Sequence, residues 1–221
     1  MEAVLKVGGS LTEKPDSLAS LCQELSVLAK AYRIAVVPGG GEFADIVRKF
    51  DRMYKLSSTV AHKMAILAMD QYGFFLSNLT PDSYVSYSLK EIGNSSEWAL
   101  PIFLPSKLMF HADPLEHSWD VTSDTIAAYI AGLLHTEKLV LVTDVDGIFS
   151  EDPKKNLDAK LVEKLSAEQL QCWNRRTSVD KTLPKILQQA NLDCYVVNGG
   201  YPERIKLILE NKKTVCTHVT V

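Results

Sequence analysis

The chain has 221 residues, of which 46% are hydrophobic and 23% are charged, and its formal net charge at pH 7 is −3. A chain of this length and composition can bury a full hydrophobic core, which excludes an intrinsically disordered protein. The slightly negative charge gives no electrostatic basis for binding nucleic acid, and the longest apolar runs are too short for a membrane-spanning helix.

Strand-like apolar runs alternate with segments of helical periodicity along the chain. The predicted strands are 3–7, 34–37, 74–76, 102–104, 139–142 and 194–197. The predicted helices are 16–32, 42–54, 59–71, 123–134, 166–173, 182–189 and 202–211. Residues 80–98 have only a weak pattern and are expected to form a β-excursion or a mobile flap. The alternation predicts an α/β protein, a three-layer αβα sandwich with a mainly parallel central sheet.

The four cysteines lie far apart in the sequence, at Cys22, Cys172, Cys194 and Cys216. None belongs to a C-x-x-C pair, and no histidines accompany them at the spacing of a zinc site, so we expect four reduced thiols and no metal held by protein ligands. The chain enters its first strand without a charged leader and an apolar signal region. These features predict a cytoplasmic protein.

Two glycine-rich turns follow the first two predicted strands. Lys-Val-Gly-Gly-Ser occupies residues 6–10, and Pro-Gly-Gly-Gly occupies residues 38–41. A glycine turn between the end of a strand and the start of a helix presents backbone N–H groups that suit phosphate oxygens. Neither turn matches the P-loop or the dinucleotide-binding motif, and glycines also serve simply to make tight turns. Because two such turns occur in consecutive βα units, we favour a phosphate-binding site.

Two carboxylates, Asp120 and Asp124, lie four residues apart just before a predicted helix. Thr122 or Ser123 is a suitable N-cap for that helix, and an acid in its first turn suits the helix dipole. Two carboxylates at this spacing can also fix an ammonium group, Mg²⁺ or a ligand hydroxyl. We favour a functional role for Asp124, whereas helix capping accounts equally well for Asp120.

A second acidic turn, Thr-Asp-Val-Asp-Gly-Ile-Phe at residues 143–149, follows the apolar strand 139–142. Ligands of open parallel sheets bind beyond the carboxyl ends of the strands, which is where Thr143 and Asp144 are placed. The acids do not have the spacing of an EF-hand calcium loop. The alternative is a plain polar turn with Asp-Gly geometry.

In this order, the motifs resemble those of the amino acid kinase family, which includes acetylglutamate, aspartate, carbamate, uridylate and isopentenyl phosphate kinases. The resemblance covers nearly the whole chain, through segments 6–10, 39–41, 122–125, 143–149 with Asp152, Lys181, and 197–199. It implies an ATP-dependent kinase with one domain, 1–221, in which residues from 1 to about 135 bind the acceptor and residues from about 136 to 221 bind the nucleotide.

The resemblance also implies roles for individual residues. Lys6 and Lys181 would neutralise charge on the transferring phosphoryl group, and Asp124 would hold both lysines. The nucleotide would contact Gly8, Gly9, Ser10, Thr143, Asp144, Gly147, Phe149 and Asp152. The acceptor would contact Gly39, Gly40, Gly41, Arg48, His62, Asp120 and Thr122. Mg²⁺ that bridges ATP oxygens would supply further charge neutralisation.

Several residues indicate which phosphoryl acceptor of this family the chain uses. Isopentenyl phosphate kinases carry a histidine soon after the second glycine turn, where this chain has Glu-Phe-Ala-Asp at residues 42–45. His62 stands in place of an acid that uridylate kinases use for the nucleoside. Segments 38–45, 61–73 and 119–124 most resemble the small archaeal-type kinases of methanofuran biosynthesis, which convert an aminomethylfuran-methyl phosphate to its diphosphate.

This resemblance implies an acceptor with a phosphate end and an ammonium end. Arg48, His62 and Lys63 are candidates for the phosphate, and Asp45 or Asp120 for the ammonium group. Arg48 and Lys63 could equally form a solvated helix face, and His62 a structural histidine. The alternatives for function are a kinase for isopentenyl phosphate, UMP or an amino-acid carboxylate, and a nucleotide-binding storage or regulatory protein of the same fold.

The family resemblance further implies a homodimer or a larger homo-oligomer, with the helix predicted at 59–71 as a possible contact face. The expected binding partner is a small-molecule phosphate, with no nucleic acid and no membrane.

One departure from the family pattern lies near the end of the chain, where Cys216 stands in place of a glycine that usually precedes a threonine. Since cysteine adopts fewer backbone conformations than glycine, we expect the nearby loop to be rearranged.

Overall fold

The computed structural model describes residues 1–94, 99–151, 153, 155–156, 158–173 and 177–221. Its strands are β1 (Ala3–Val7), β2 (Ile34–Pro38), β3 (Ser83–Ser86), β4 (Leu100–Phe103), β5 (Lys138–Thr143), β6 (Lys164–Ser166), β7 (Asp193–Asn198) and β8 (Thr217–Thr220). Its helices are α1 (Pro15–Ala29), α2 (Gly41–Tyr54), α3 (Ser58–Leu79), α4 (Leu89–Gly93), α5 (Ser106–Ala112), α6 (Ser123–Leu133), α7 (Ala167–Gln171), α8 (Leu183–Ala190) and α9 (Glu203–Leu209). A 3₁₀ helix covers Gly9–Glu13.

The strands form one sheet in the order β3-β4-β2-β1-β5-β7-β8-β6. Neighbouring strands are parallel except for the antiparallel pair β7 and β8. β1 lies between β2 and β5, with Val7 opposite both Pro38 and Val142. The turns that follow β1, β2 and β5 therefore meet at one edge of the sheet, which is where ligands bind in open α/β folds.

Alternating side chains of β1 face two separate hydrophobic clusters. Val4 packs in a cluster that includes residues of α6 and α8. Leu5 packs in a second cluster with residues of α1 and α9. Helices thus cover both faces of the sheet, and the predicted three-layer α/β architecture is confirmed.

Strands predicted at 3–7, 34–37, 139–142 and 194–197 correspond to β1, β2, β5 and β7, and the one predicted at 102–104 lies slightly earlier, as β4. The strand predicted at 74–76 is wrong, because α3 continues through it to Leu79. Gly73 does not end this helix. A Cβ on Gly73 would lie 2.4 Å from Cδ2 of Leu104, so the glycine lets α3 pack closely on the end of β4.

The weakly patterned segment that begins at residue 80 contributes to the sheet. β3 pairs in parallel with β4 and forms one edge, with Val85 opposite Ile102, and α4 follows it. The expected β-excursion is therefore a short edge strand of the central sheet. The last part of the segment, 95–98, lies outside the described residues. Among the helices described, none has the length and apolar character needed to cross a membrane.

Candidate active site

The two glycine turns touch each other. A Cβ placed on Gly9 would lie only 2.1 Å from Cα of Gly41, and one on Gly40 would lie 2.4 Å from Cβ of Ala44. The N–H of Gly39 donates to the carbonyl oxygen of Val7 at 2.8 Å, which ties the second turn to β1. Any side chain at Gly9 would separate the turns, so this position requires glycine.

Tyr72 of α3 contacts both glycine turns. Its hydroxyl donates to the carbonyl oxygen of Gly8 at 3.2 Å. Its ring lies 3.6 Å from the position of a Cβ on Gly41, a residue with a φ of +54°. Burial raises the pKa of the Tyr72 phenol well above its ordinary value, so the group stays protonated and remains a hydrogen-bond donor. The sequence analysis assigned no role to this tyrosine.

A cleft of about 690 Å³ opens beside the glycine turns. It brings together many residues that the sequence analysis selected, namely Lys6, Gly8, Gly9, Ser10, Gly40, Gly41, Arg48, Thr122, Thr143, Asp144, Gly147 and Phe149. Asp152, also selected, lies outside the described residues. We call this space the first cleft.

Lys6 and Asp124 form an ion pair with 2.7 Å between Nζ and Oδ1. The lysine projects from β1 and the aspartate from the first turn of α6, and only 12% and 8% of their side chains are exposed. The hydroxyl of Thr122 caps α6 by accepting from the Asp124 N–H at 3.4 Å. An ion pair this deeply buried adds little net stability, because removing two charges from water costs about as much as their attraction returns.

Asp180 is the residue that fixes the region around Asp124, and the sequence analysis missed it. Its carboxylate accepts five hydrogen bonds of 2.5 to 3.0 Å, from the N–H and hydroxyl groups of Thr122 and Thr125 and from the N–H of Leu183. It therefore ties the start of α6 to the start of α8. Burial, and secondly the charge of Asp124, raise the pKa of Asp180.

The second carboxylate oxygen of Asp124 is also occupied. The backbone N–H of Asp180 donates to Oδ2 of Asp124 at 3.3 Å, while Oδ1 holds Lys6. A signal for Asp180 was present in the sequence, because an aspartate shortly before a helix with proline in its first turn is typical of an N-terminal cap. Its link to Asp124 depends on the tertiary structure alone.

The ion pair of Lys181 differs from the one that the family resemblance implied. Instead of pairing with Asp124, its Nζ lies 3.3 Å from Oδ1 of Asp120, and 73% of the lysine side chain is exposed. The physical reason is that Asp124 is buried, so the Lys181 ammonium would lose its hydration to reach it, whereas beside the exposed Asp120 it stays in water. In this conformation Asp124 pairs with Lys6 alone, and Lys181 pairs with Asp120 at the second cleft.

A second cleft, of about 910 Å³, adjoins the first. It is lined by acids, bases and two indole rings, including Asp51, Arg52, Trp119, Asp120, Asp124, Trp173, Asp180 and Lys181. Both clefts share the residues Arg48, Thr122, Thr177 and Ser178. Since Lys6 lines the first cleft and Asp124 the second, their ion pair lies where the two clefts meet.

Arg48 and His62 lie together at a small cavity of about 40 Å³ beside Gly40. Nη1 of Arg48 pairs with Oδ1 of Asp45 at 2.6 Å. His62 is buried and stacks on His117, with 4.7 Å between ring centroids. Burial, and secondly the nearby His117, lower the pKa of His62, so its imidazole is neutral at pH 7.

The turn after β5 contacts the first glycine turn. Ser10 donates from Oγ to Oδ1 of Asp144 at 3.0 Å, and Thr143 donates to the same oxygen at 3.2 Å. Further along the turn, Asp146 pairs with Arg204 at 2.6 Å. The acidic residues of this turn are therefore held in place by contacts on both sides of β5.

Cys216, which stands in place of the family's glycine, precedes Thr217, a residue that contacts the turn after β5. Thr217 accepts from the Ile148 N–H at 2.7 Å and donates to the Val162 carbonyl at 2.6 Å. A Cβ on Gly147 would lie 2.4 Å from the Thr217 hydroxyl, which explains the glycine. Burial raises the pKa of the Cys216 thiol, so it stays protonated and is a poor nucleophile.

Metal-ligating side chains are dispersed in the described part of the chain, where no group of three or more His, Cys, Asp or Glu could hold an ion. The described cysteines are free thiols.

Comparison with known proteins identifies the class to which this fold and these clefts belong. The model of the amino acid kinase family matches residues 1–198. The chain belongs to the amino acid kinase family. Its membership confirms the expectation of an ATP-dependent kinase, a phosphotransferase.

Among characterised relatives, a [5-(aminomethyl)furan-3-yl]methyl phosphate kinase from Methanocaldococcus jannaschii is 37% identical, over 98% of this chain and 96% of the relative. A uridylate kinase from the same organism is 29% identical over 93% of both chains. The crystal structure of uridylate kinase from Archaeoglobus fulgidus has the same fold, with a TM-score of 0.76, 21% identity and full coverage of both chains.

Proposed function

We propose that this protein transfers the γ-phosphoryl group of ATP to a small phosphate monoester, giving a diphosphate, and that the acceptor is the aminomethylfuran-methyl phosphate of methanofuran biosynthesis. The observation that carries the reaction is the Lys6–Asp124 ion pair at the meeting point of two clefts, beside two glycine turns. The choice of acceptor is supported by the name of the M. jannaschii relative and its 37% identity.

In this proposal ATP occupies the first cleft. The backbone N–H groups of Gly9 and Ser10 bind its phosphates, as glycine turns at helix starts can. Gly8 lies against these phosphates without donating to them, because its own N–H donates to the carbonyl oxygen of Val142 at 2.8 Å. The nucleoside lies along the turn after β5, at Thr143, Asp144, Gly147 and Phe149, together with Asp152. The support for this placement is that all of these residues except Asp152 line one continuous cleft.

The acceptor lies on the side of the second glycine turn, at Gly39, Gly40 and Gly41. Arg48 supplies positive charge for the acceptor phosphate from the part of the site that both clefts share, which Thr122 also lines. His62 lies beside Arg48 at the small cavity, and Asp120 can bind an ammonium group after Lys181 leaves it.

During transfer, an oxygen of the acceptor phosphate forms a bond to the γ-phosphorus while the bond from that phosphorus to the bridging oxygen of ADP breaks. Lys6 neutralises charge on the moving group, and Asp124 keeps the lysine directed at it. Lys181 can act as the second cation after leaving Asp120, which its exposure allows. Mg²⁺ carried by ATP would add charge neutralisation when bound; positioning and charge neutralisation are what phosphoryl transfer requires.

We also propose a homodimer and a cytoplasmic location. Along α3, Val60, Leu67 and Phe74 recur every seven residues on one face and are exposed, which is unfavourable in an isolated protomer. α2 also carries exposed apolar side chains.

The proposed cytoplasmic location is supported by the free thiols of the described structure, which suit a reducing compartment. In the one domain proposed, residues up to about 135 hold the acceptor, and residues from about 136 to 221 hold the nucleoside of ATP, whose phosphates reach the first glycine turn.

The experiment that tests the function is ADP release from Mg-ATP with a panel of acceptors: aminomethylfuran-methyl phosphate, isopentenyl phosphate, UMP, glutamate and acetylglutamate. We expect turnover with the furan phosphate and a diphosphate product by mass spectrometry. Turnover with a different acceptor alone would retain the kinase and overturn the acceptor. ATP binding without transfer to any acceptor would favour a storage or regulatory protein.

A further inference from the structure

The second cleft contains an aromatic side chain to which neither the sequence analysis nor the proposed reaction assigns a role. Trp119 lies just before α6 and borders this cleft, the small cavity that contains His62, and a third cavity of about 200 Å³. Trp119 thus lines one cleft and two cavities, and 37% of its surface is exposed. An indole ring in this position is available to a ligand.

The orientation of Trp119 is fixed from two sides. Its indole N–H donates to Oδ2 of Asp51 at 2.7 Å. The guanidinium of Arg48 lies 4.9 Å from the ring centroid, within the range of a cation–π interaction. Asp51 and Arg48 both project from α2, so one helix both orients the indole and contributes the cation that binds the acceptor phosphate in the proposed function.

The charges around the ring match a particular kind of molecule. Arg48 and Arg52 supply positive charge, while Asp51 and Asp120 supply negative charge, all along the same cleft. A flat ring that carries a phosphate and an ammonium group would find charges of both signs in the cleft beside the indole. An aliphatic phosphate would use the cations but would leave the exposed part of the indole ring without an aromatic partner.

We propose that Trp119 is the specificity-determining residue for the acceptor, forming the surface on which the acceptor's aromatic ring packs. This inference rests on the proposed function and extends it by assigning the ring site. The acceptor phosphate lies at Arg48 near the Lys6–Asp124 pair, and the ring extends from there into the second cleft beside Trp119. Aromatic pairs add stabilisation beyond their buried area, so replacing the indole with a small side chain weakens acceptor binding selectively.

The test compares Trp119→Ala with Trp119→Phe in the intact enzyme. We expect Trp119→Ala to raise KM for the furan phosphate by about tenfold or more, and Trp119→Phe to restore most of the loss because it keeps a ring. KM for ATP should change little in both variants. The preference for the furan phosphate over isopentenyl phosphate, as a ratio of kcat/KM, should fall in Trp119→Ala. An unchanged KM and an unchanged ratio in Trp119→Ala would overturn the inference.

Tryptophan fluorescence provides a measurement that does not require turnover. Addition of the furan phosphate without ATP should change the emission of the wild-type enzyme and of Trp173→Phe, and the change should be lost in Trp119→Phe. A change that persists in Trp119→Phe and disappears in Trp173→Phe would assign the ring to the other indole and overturn the inference. If the wild type binds this compound through Trp119 without phosphorylating it, the proposed reaction fails while the ring site stands.

Discussion

Lys6 and Asp124 meet at 2.7 Å although the lysine belongs to the first strand and the aspartate to the start of a helix in the middle of the chain. Their ion pair connects the two clefts, since each residue lines one of them. This geometry leads to a prediction about the charge of Lys6.

Replacement of Lys6 by alanine removes the buried cation at the meeting point of the clefts. We expect kcat to fall by about 100-fold or more, because charge stabilisation of the transition state is lost. Lys30→Ala is the matched control, since that lysine forms an exposed ion pair with Asp82. Steady-state kinetics with circular dichroism checks the result. Normal turnover by a folded Lys6→Ala protein would remove Lys6 from the mechanism.

Replacement of Gly9 by alanine should disrupt the contact between the two glycine turns. The new Cβ would collide with Cα of Gly41, and backbone cannot move away as a flexible side chain can. We expect a destabilisation of about 1–3 kcal/mol and a loss of ATP affinity. Gly93→Ala is the control, because a Cβ there meets nothing within 4 Å. Denaturation and ATP titration measure both effects, and equal behaviour of the two variants would contradict the prediction.

Asp180→Asn tests whether Asp180 positions Asp124. The amide keeps the shape of the side chain but turns an NH₂ group towards donors in Thr122, Thr125 and Leu183. We expect a destabilisation on the order of 3 kcal/mol, together with a lower kcat, because the N-terminus of α6 carries Asp124. KM for ATP should change less than kcat. A variant with reduced stability and a normal kcat would limit Asp180 to a structural role.

The dependence of the free energy of unfolding on pH should show the effect of burying His62. Its pKa in the folded protein is lowered from 6.5, chiefly by burial, then by His117 and against the opposing charge of Asp113. A lowered histidine pKa means that the folded state favours the neutral ring. The stabilisation is complete above the unfolded value of 6.5 and is lost as the pH falls through the lower folded value.

His62→Asn should therefore lose less stability than the wild type when the pH falls from about 7.5 to about 5.5. Unfolding by urea at both pH values measures the difference, and His111→Gln on the exposed end of α5 is the control. Equal pH dependence in wild type and His62→Asn would show that burial of His62 has no energetic consequence for its protonation.

The exposed apolar face of α3 leads to a prediction about assembly. If this face joins two protomers, Leu67→Glu places a charge in the contact and should convert a dimer to a monomer. Lys206→Glu, at an exposed position of α9, alters charge outside α3 and serves as the control. Light scattering with size-exclusion chromatography gives the mass. A monomeric wild type would refute the proposed dimer.

Much of the site could be predicted from the sequence because its residues occur in short motifs next to strands. Lys6 lies one residue before the end of β1, Gly9 and Gly41 begin helical segments, and Asp124 lies in the first turn of α6, so local pattern placed each of them correctly near an element boundary. The strand order then brings the boundaries together, since β1 lies between β2 and β5.

The errors arose where local pattern conflicted with packing. The apolar run that includes Phe74 has the composition of a strand, yet α3 continues through it because Gly73 and Leu76 pack inward while Phe74 is exposed. β6 and β8 contain only three and four residues, too few to show periodicity, and are held by pairing with each other and with β7.

By itself, the sequence determined the α/β architecture and the two glycine turns, because strand ends, glycine turns and acidic caps are local features. The resemblance of its motifs to the amino acid kinase family indicated the kinase class. Only the tertiary structure decided which partner each charge takes. Lys6 pairs with Asp124, Lys181 pairs with Asp120, and Asp180 ties two helices together beneath them. Those contacts depend on how distant segments pack around the sheet, and side chains far apart in sequence carry no local signal of the distance between them.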